Sequence, residues 1–170
     1  MTPEIVVRIA EMAVSRTPGA TVASIGLGSC IGLALLDRDS PHVGLAHIML
    51  PAAPEVGADT PARYADLAVP ELVAQLARLG TPARRLEAAL VGGARMFASA
   101  SPSALDIGAR NEQATRDALA AAGIPVRATA TGGTGGRTVR VSVDDRTITV
   151  RAAGGETREL YRVRPGRVTV

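Results

Sequence analysis

Cys30 and His47 are the two side chains of this sequence that could together perform chemistry. Cys30 is the single cysteine among 170 residues, and it directly follows the glycine-rich segment 26–29. A glycine-rich turn lets a substrate approach a thiol closely, and its backbone N–H groups can point at that substrate. A thiol with a histidine elsewhere in the chain is the minimal equipment for nucleophilic acyl chemistry. A cysteine-dependent enzyme is therefore the first hypothesis.

The alternative is structural, because a lone cysteine beside an apolar run is more often a small buried hydrophobic residue. Gly28 and Gly32 flank Cys30 in the form Gly-x-nucleophile-x-Gly, which is similar to the serine turn of α/β-hydrolases. That turn leads into a helix, whereas residues 31–36 are continuously apolar and predict a buried strand. The glycines therefore indicate close approach of a substrate and not the α/β-hydrolase fold.

Other common sites are excluded by single residues. Gly26 and Gly28 begin a dinucleotide-binding pattern, but Ile31 stands where its third glycine belongs. A phosphate-binding loop that ends in Gly-Lys is excluded because the chain contains no lysine. His42 and His47 lack the helical spacing of a zinc protease, and two histidines with one cysteine are too few for a structural zinc. We therefore expect neither a cofactor nor a metal.

The composition predicts one soluble globular domain. Apolar residues make up 46% and charged residues 21%, and 170 residues are enough for a substantial core. No apolar stretch approaches the ~20 residues that span a bilayer, and no signal-peptide pattern is seen at the start of the sequence. One cysteine cannot form an internal disulfide. We expect a cytoplasmic protein that is not embedded in a membrane.

The basic charge of the chain does not indicate nucleic-acid binding. The formal net charge is +3 and the basic residues are all arginines, scattered along the sequence. Aromatic residues account for only 2%, so platforms for base stacking are nearly absent. We therefore expect no nucleic-acid partner.

Alternation and β-branched residues predict strands, and longer amphipathic stretches predict two helices. The predicted strands are residues 4–14, 21–25, 31–37, 43–50, 86–91, 124–129, 137–143 and 147–151. The predicted helices are residues 62–79 and 107–122, each followed by glycine. Pro70 either kinks the first helix or begins a new one.

A hairpin is predicted to bring the two reactive side chains together. The strands 31–37 and 43–50 are joined by a short connection, which favours antiparallel neighbours. Cys30 and His47 lie at similar distances along the chain from that connection. The same end of the hairpin should therefore hold both.

Six blocks, in this order along the chain, resemble the chemoreceptor glutamine deamidase family CheD. The blocks are residues 26–30, 46–51, 64–66, 92–97, 107–111 and 132–137. The resemblance covers roughly residues 5–150. It implies a deamidase domain over residues 1–152, followed by a C-terminal extension over residues 153–170.

The resemblance implies a role for each site residue. Cys30 matches the family's nucleophile and His47 its histidine. Ser24 stands where the family has its third residue, a threonine six positions before the cysteine. The N–H groups at Gly28 and Ser29 would hold the oxyanion, and Ser24 would hold the imidazole through a hydrogen bond.

The resemblance also implies a fold and partners. The fold would be α/β (α+β), with mixed β-sandwich-like sheets and two flanking helices, as in cysteine hydrolases and bacterial toxin deamidases. The substrate would be the cytoplasmic helices of chemotaxis receptors, whose glutamine side chains become glutamate with release of ammonia. A CheC-type phosphatase would be a second partner.

Two alternatives remain open from the sequence. The protein could be a regulatory binding module that acts on a CheC-type phosphatase and has little catalysis of its own. A thiol protease is the other alternative, although the sequence shows neither a cleft for an extended peptide nor an Asn or Asp to orient the histidine.

Overall fold

The computed structural model describes residues 3–54, 60–96 and 107–164. Within those ranges the strands are β1 (Glu4–Val6), β2 (Met12–Ser15), β3 (Thr21–Leu27), β4 (Ile31–Asp37), β5 (Val43–Ile48), β6 (Leu86–Gly92), β7 (Val126–Thr131), β8 (Arg137–Ser142), β9 (Thr147–Ala152) and β10 (Thr157–Arg162). The α-helices are α1 (Ala65–Leu79) and α2 (Ile107–Ala121). Most predicted strands and both helices match these elements to within a few residues.

The strands form two mixed sheets. The first sheet has the order β1-β3-β8-β9-β10, and the second has the order β2-β5-β4-β6-β7. β1 is parallel to β3 and β6 is parallel to β7, while the other neighbours are antiparallel. The expected mixed sheets in a β-sandwich-like arrangement with two flanking helices are confirmed.

An apolar cluster fills the space between the two sheets. Leu27 and Val139 of the first sheet belong to it, together with Leu36 and Leu45 of the second. The sheets approach closely at Gly32 of β4, where a Cβ atom would lie 2.8 Å from the Leu27 side chain. The candidate nucleophile Cys30 packs against this cluster.

A second apolar cluster joins the other face of the second sheet to the helices. Leu33 and Leu90 of that sheet belong to it, together with Leu72 and Leu76 of α1 and Leu119 of α2. Because both faces of the second sheet are covered, β4, β5 and β6 are buried along their whole length. This explains the continuous apolar run after Cys30.

α1 is one uninterrupted helix that contains Pro70, so Pro70 does not begin a new helix. The helix ends at Gly80, whose φ of 106° is left-handed and favours glycine. Among the described residues, no helix is long and apolar enough to cross a bilayer.

The prediction of one strand over residues 4–14 is wrong. β1 belongs to the first sheet and β2 to the second, so residues 7–11 cross from one sheet to the other. Ala10 adopts a left-handed φ of 64° within this crossing. The β-branched residues do form strands at both ends, but their pattern carries no sign that the chain changes sheets.

Part of the C-terminal extension joins the first sheet. β10 pairs antiparallel with β9, and the Tyr161 hydroxyl on β10 donates a hydrogen bond to Glu87 on β6 of the second sheet. Residues 165–170 of the extension lie outside the described residues.

Candidate active site

Cys30 is the last residue of a bend that connects β3 to β4. The β3–β8 pairing shifts register between Ser24 and Leu27, and Gly26 has a left-handed φ of 70°. The Cys30 side chain is partly buried and packs against the cluster between the sheets. This burial raises the pKa of the thiol above its ordinary value of 9.0. The resting side chain is therefore a neutral thiol near pH 7.

Each carbonyl of the bend is fixed by a hydrogen bond. The carbonyl oxygens of residues 28, 29 and 30 accept, in that order, from the Ala94 backbone N–H at 2.9 Å, the Asn111 side-chain amide at 3.0 Å and the Gly93 backbone N–H at 2.9 Å. Because a trans peptide is planar, fixing a carbonyl also fixes the direction of the N–H that follows it. The orientations of the Ser29 and Cys30 N–H groups are set in this way.

The backbone N–H groups of the bend are candidate hydrogen-bond donors to a ligand. Within residues 3–54, 60–96 and 107–164, no group accepts a hydrogen bond from the backbone N–H of Gly28, Ser29 or Cys30. Free N–H groups beside a nucleophile are the donors that an oxyanion needs.

The glycines at the end of β6 allow the backbone to approach this bend. A Cβ at Gly92 would lie 2.2 Å from the Cys30 carbonyl oxygen, and Gly92 has a φ of 110°. Only glycine can occupy this position without displacing the nucleophile's backbone. The glycine block that carried part of the family resemblance therefore packs against the bend that carries Cys30.

His47 lies on β5 and is almost wholly buried, with 4% of its surface exposed. Its Nδ1 lies 3.3 Å from the carbonyl oxygen of Val7. Because a carbonyl only accepts hydrogen bonds, Nδ1 carries the proton, and Nε2 is left with a free lone pair. Burial lowers the pKa of His47 below its ordinary 6.5, although the Val7 bond and the nearby Glu11 charge act in the opposite direction.

The strand register brings Cys30 and His47 to the same end of the β4–β5 hairpin, as predicted, and it also places them on the same face. Gly32 pairs with His47 and Ile31 with Ile48. Side chains alternate along a strand, so Cys30 shares the face of Gly32 and His47, which is turned toward the first sheet. No hydrogen bond joins the Cys30 Sγ to the imidazole in this structure.

Ser24 is fully buried on β3, and its hydroxyl donates to the Val7 carbonyl oxygen at 2.8 Å. Val7 thus accepts from both Ser24 and His47. Between these two described side chains there is no direct hydrogen bond. The expected direct contact from Ser24 to the imidazole is replaced by a shared backbone acceptor.

An open groove of about 600 Å³ lies beside His47. Its lining residues are Val6, Val7, Arg8, Ile9, Glu11, Ile25 and His47. Ile9 and Ile25 are large apolar residues that are 57% and 54% exposed. The groove therefore offers an apolar rim next to the imidazole, and Cys30 is not among its lining residues.

Sequence reasoning missed Val7 and Asn111. Val7 acts through its backbone carbonyl, for which no side-chain signal exists. Asn111 could have been found, because the buried positions of α2 are Gly108, Asn111, Thr115 and Leu119, spaced along one face of the helix. An amide on a buried helix face needs hydrogen-bond partners in the fold.

Among the described residues there is no group of three or more His, Cys, Asp and Glu side chains that could hold a metal ion.

The CheD family model, described as CheD chemotactic sensory transduction, matches residues 49–152 of this chain. That range includes Asn111 and begins just after His47, so the match to the family model does not reach Cys30.

Relatives extend the similarity over nearly the whole chain. One is named "Probable chemoreceptor glutamine deamidase CheD" and comes from Methanococcus vannielii; it is 39% identical over 91% of this chain and 97% of its own length. Another, the "Chemoreceptor glutamine deamidase CheD" of Thermotoga maritima, is 39% identical over 88% of this chain and 92% of its own length. A third, from Moorella thermoacetica, is 42% identical over 89% of this chain and 92% of its own.

Among solved structures, a Neisseria meningitidis protein assigned to the family DUF152 covers 78% of this chain and 63% of its own. Its TM-score of 0.41 and 15% identity are too low to bear on function.

Proposed function

Since the chain belongs to the CheD family, we propose that it is a chemoreceptor glutamine deamidase, which hydrolyses receptor glutamine side chains to glutamate and ammonia. The observation that carries the mechanism is the placement of Cys30 on the same strand face as His47, beside backbone N–H groups that have no acceptor among the described residues. Relatives that match almost the whole chain carry the same activity in their names.

His47 acts as a general base on a neutral thiol. Burial raises the pKa of Cys30 and lowers that of His47, which disfavours a resting thiolate–imidazolium pair. Nδ1 of His47 carries a proton and donates it in a hydrogen bond to the Val7 carbonyl. Nε2 is therefore the atom that takes the proton of the thiol.

The first half of the reaction forms a thioester. As Nε2 of His47 removes the proton, the sulfur of Cys30 attacks the carbon of the glutamine side-chain amide. The N–H groups of residues 28–30 stabilise the negative oxygen, and each such donor is worth about 10²–10³ in rate. The C–N bond then breaks, and the imidazolium returns its proton to the departing nitrogen, which leaves as ammonia.

The second half hydrolyses that thioester. His47 deprotonates a water molecule, which attacks the thioester carbon through the same oxyanion site. The C–S bond breaks, the sulfur regains a proton, and the product is a glutamate side chain. The net change is addition of one water and loss of one ammonia, and no redox step or cofactor is needed.

Ser24 serves as a positioning residue in this proposal. Its hydroxyl and the His47 ring share the Val7 carbonyl, so Ser24 helps to hold the acceptor that fixes the imidazole tautomer. The family's threonine supplies the same hydroxyl, so serine at this position is compatible with that role.

The substrate class fits the groove beside His47. Ile9 and Ile25 give the groove an exposed apolar rim, which suits the apolar face of an amphipathic helix. The proposed substrate that binds in this groove is therefore a cytoplasmic helix of a chemotaxis receptor. The family resemblance also supports a CheC-type phosphatase as a second partner.

Ammonia release from a purified receptor cytoplasmic fragment tests this function. We expect release with the intact protein and none with Cys30→Ala, because the thioester cannot form. The control substrate is the same fragment with its glutamines replaced by glutamate. If the folded protein released no ammonia from any receptor fragment, a regulatory binding module would replace this proposal; release by Cys30→Ala would refute the thiol mechanism.

A further inference from the structure

Asn111 is a fully buried side chain that touches both segments of the candidate active site. Its Nδ2 group donates to the carbonyl oxygens of Ser29 and Met49, each at 3.0 Å. Ser29 directly precedes Cys30, and Met49 follows His47 by two positions. One amide group on α2 thus joins the segment that carries the nucleophile to the segment that carries the base.

This amide stands where the hairpin ladder stops. Ile31 and Ile48 are the last pair of β4 and β5, and the Met49 N–H donates elsewhere, to the carbonyl of Arg63. The two hydrogen bonds from Asn111 therefore hold the strand ends together beyond the last ladder pair.

The placement of α2 makes this contact possible. A Cβ at Gly108 would lie 2.5 Å from the Gly93 carbonyl oxygen, so glycine lets the start of the helix lie directly on the backbone after β6. Asn111 follows one turn later on the same buried face of the helix.

The orientation of the amide is determined by its partners. Two carbonyl oxygens face Nδ2, so a flipped amide would place oxygen against oxygen. Asn111 Oδ1 is buried and has no hydrogen-bond partner among the described residues. An unpaired buried oxygen is destabilising. The two hydrogen bonds that Nδ2 donates are therefore the stabilising contribution of the Asn111 side chain.

Ser29 differs from its neighbours in how its carbonyl is held. The carbonyls of Gly28 and Cys30 are held by backbone N–H groups, while that of Ser29 is held by a side chain. Because the peptide between Ser29 and Cys30 is planar and trans, the direction of the Ser29 carbonyl fixes that of the Cys30 N–H. A substitution at Asn111 can therefore release one oxyanion donor without touching the nucleophile.

We propose that Asn111 is a positioning residue for the deamidation, which aims the Cys30 N–H at the oxyanion by holding the Ser29 carbonyl. This inference rests on the proposed function. If the inference is correct, Asn111 stabilises the transition state, where the oxyanion exists. It affects neither substrate binding nor the acidity of the Cys30 thiol.

The test compares Asn111→Asp and Asn111→Ala with the matched control Thr115→Val. Thr115 donates a buried 2.7 Å hydrogen bond to the Asn111 carbonyl, so Thr115→Val removes a buried polar contact of the same helix without removing the Nδ2 contacts. We expect the Asn111 variants to lose about 10- to 100-fold in kcat on a receptor fragment, somewhat less than outright loss of an oxyanion donor. KM and the rate of Cys30 alkylation by iodoacetamide should stay near wild type, because neither involves an oxyanion.

Melting temperatures separate positioning from general destabilisation. If Thr115→Val lowers Tm as much as the Asn111 variants and lowers kcat equally, the effect is structural and the inference is overturned. It is also overturned if a folded Asn111→Asp protein keeps the wild-type kcat. An inactive wild-type protein would instead overturn the proposed function, and this inference with it. If Asn111→Ala does not fold, the isosteric Asn111→Asp variant carries the test.

Discussion

At the scale of single residues, the proposed site pairs a partly buried neutral thiol with a buried neutral imidazole. Burial disfavours charge on Cys30 and on His47 alike, so it shifts their pKa values in opposite directions. In the proposed mechanism, the partly buried thiol stays neutral until His47 removes its proton during attack on the substrate amide.

The pH dependence of kcat/KM distinguishes this arrangement from an ion pair. The base must be unprotonated, so the acid limb should follow the lowered pKa of His47 and fall below pH 6.5. The alkaline limb should follow the raised pKa of Cys30 and lie above pH 9.0. We expect a plateau between these limits. A rate that declined as pH rose across that interval would indicate a resting imidazolium and contradict the general-base role.

Ser24→Ala tests the shared Val7 acceptor. It removes one hydrogen bond of ordinary strength, about 1 kcal/mol, while the bond from His47 to Val7 remains. We therefore expect kcat to fall by roughly fivefold. The control is Ser24→Thr, which keeps the hydroxyl and should retain activity. Loss as severe as in His47→Ala would place Ser24 in the chemistry itself, and an unchanged kcat would remove it from the mechanism.

At the scale of elements, β4 connects the active site to a buried carboxylate at its other end. Asp37 is fully buried and accepts from Arg85 Nη2 at 2.7 Å, from Arg85 Nε at 3.1 Å and from the Thr81 hydroxyl at 2.6 Å. Burial alone would raise the pKa of Asp37, but these bonds, the Asp39 N–H and the Arg85 charge together lower it. The cluster holds the far end of the hairpin that carries Cys30 and His47.

Asp37→Asn should lower the free energy of unfolding by about 3 kcal/mol near pH 7, because it breaks a buried ion pair. A lowered pKa stabilises the fold above the unfolded value of ~3.9, and this contribution disappears as pH falls through that value toward the folded one. The difference between wild type and variant should therefore shrink in acid, as measured by urea unfolding at several pH values. Asp39→Asn, at a 63% exposed carboxylate 3.8 Å from Arg85, is the control and should change little. A pH-independent difference would contradict the assignment.

Local sequence pattern predicted the β4–β5 hairpin, because a short connection between two apolar runs favours antiparallel pairing. It also predicted that Cys30 and His47 lie at the same end of that hairpin. It did not predict the crossing at residues 7–11, since the same β-branched composition suits one strand or two strands in different sheets. The role of Val7 depends on that crossing. A backbone carbonyl becomes a shared acceptor only once Ser24 and His47 arrive from different sheets.

At the scale of the whole molecule, the proposed active site is assembled where the two sheets and the helices meet. β3 of the first sheet supplies Ser24, β5 of the second supplies His47, and the bend between β3 and β4 supplies Cys30. α2 reaches the same bend through Asn111. These pairings are long-range, so the strand pattern alone could not assign each strand to its sheet.

The C-terminal extension illustrates the same limit. Its strand β10 continues the first sheet, and Tyr161 ties it to Glu87 of the second. Burial and the adjacent Glu87 raise the pKa of Tyr161 to about 12, so this hydroxyl stays protonated and donating across the physiological range. The sequence predicted no strand over residues 157–162, because local pattern does not show which sheet edge could receive one.

Peptide mapping by mass spectrometry, on a receptor cytoplasmic fragment incubated with wild-type protein or with Cys30→Ala, tests the central claim most directly. The account predicts that particular glutamines become glutamates with the wild-type protein and that the same glutamines stay unchanged with Cys30→Ala. Conversion of those glutamines by a folded Cys30→Ala protein would contradict the claim that this thiol performs the chemistry.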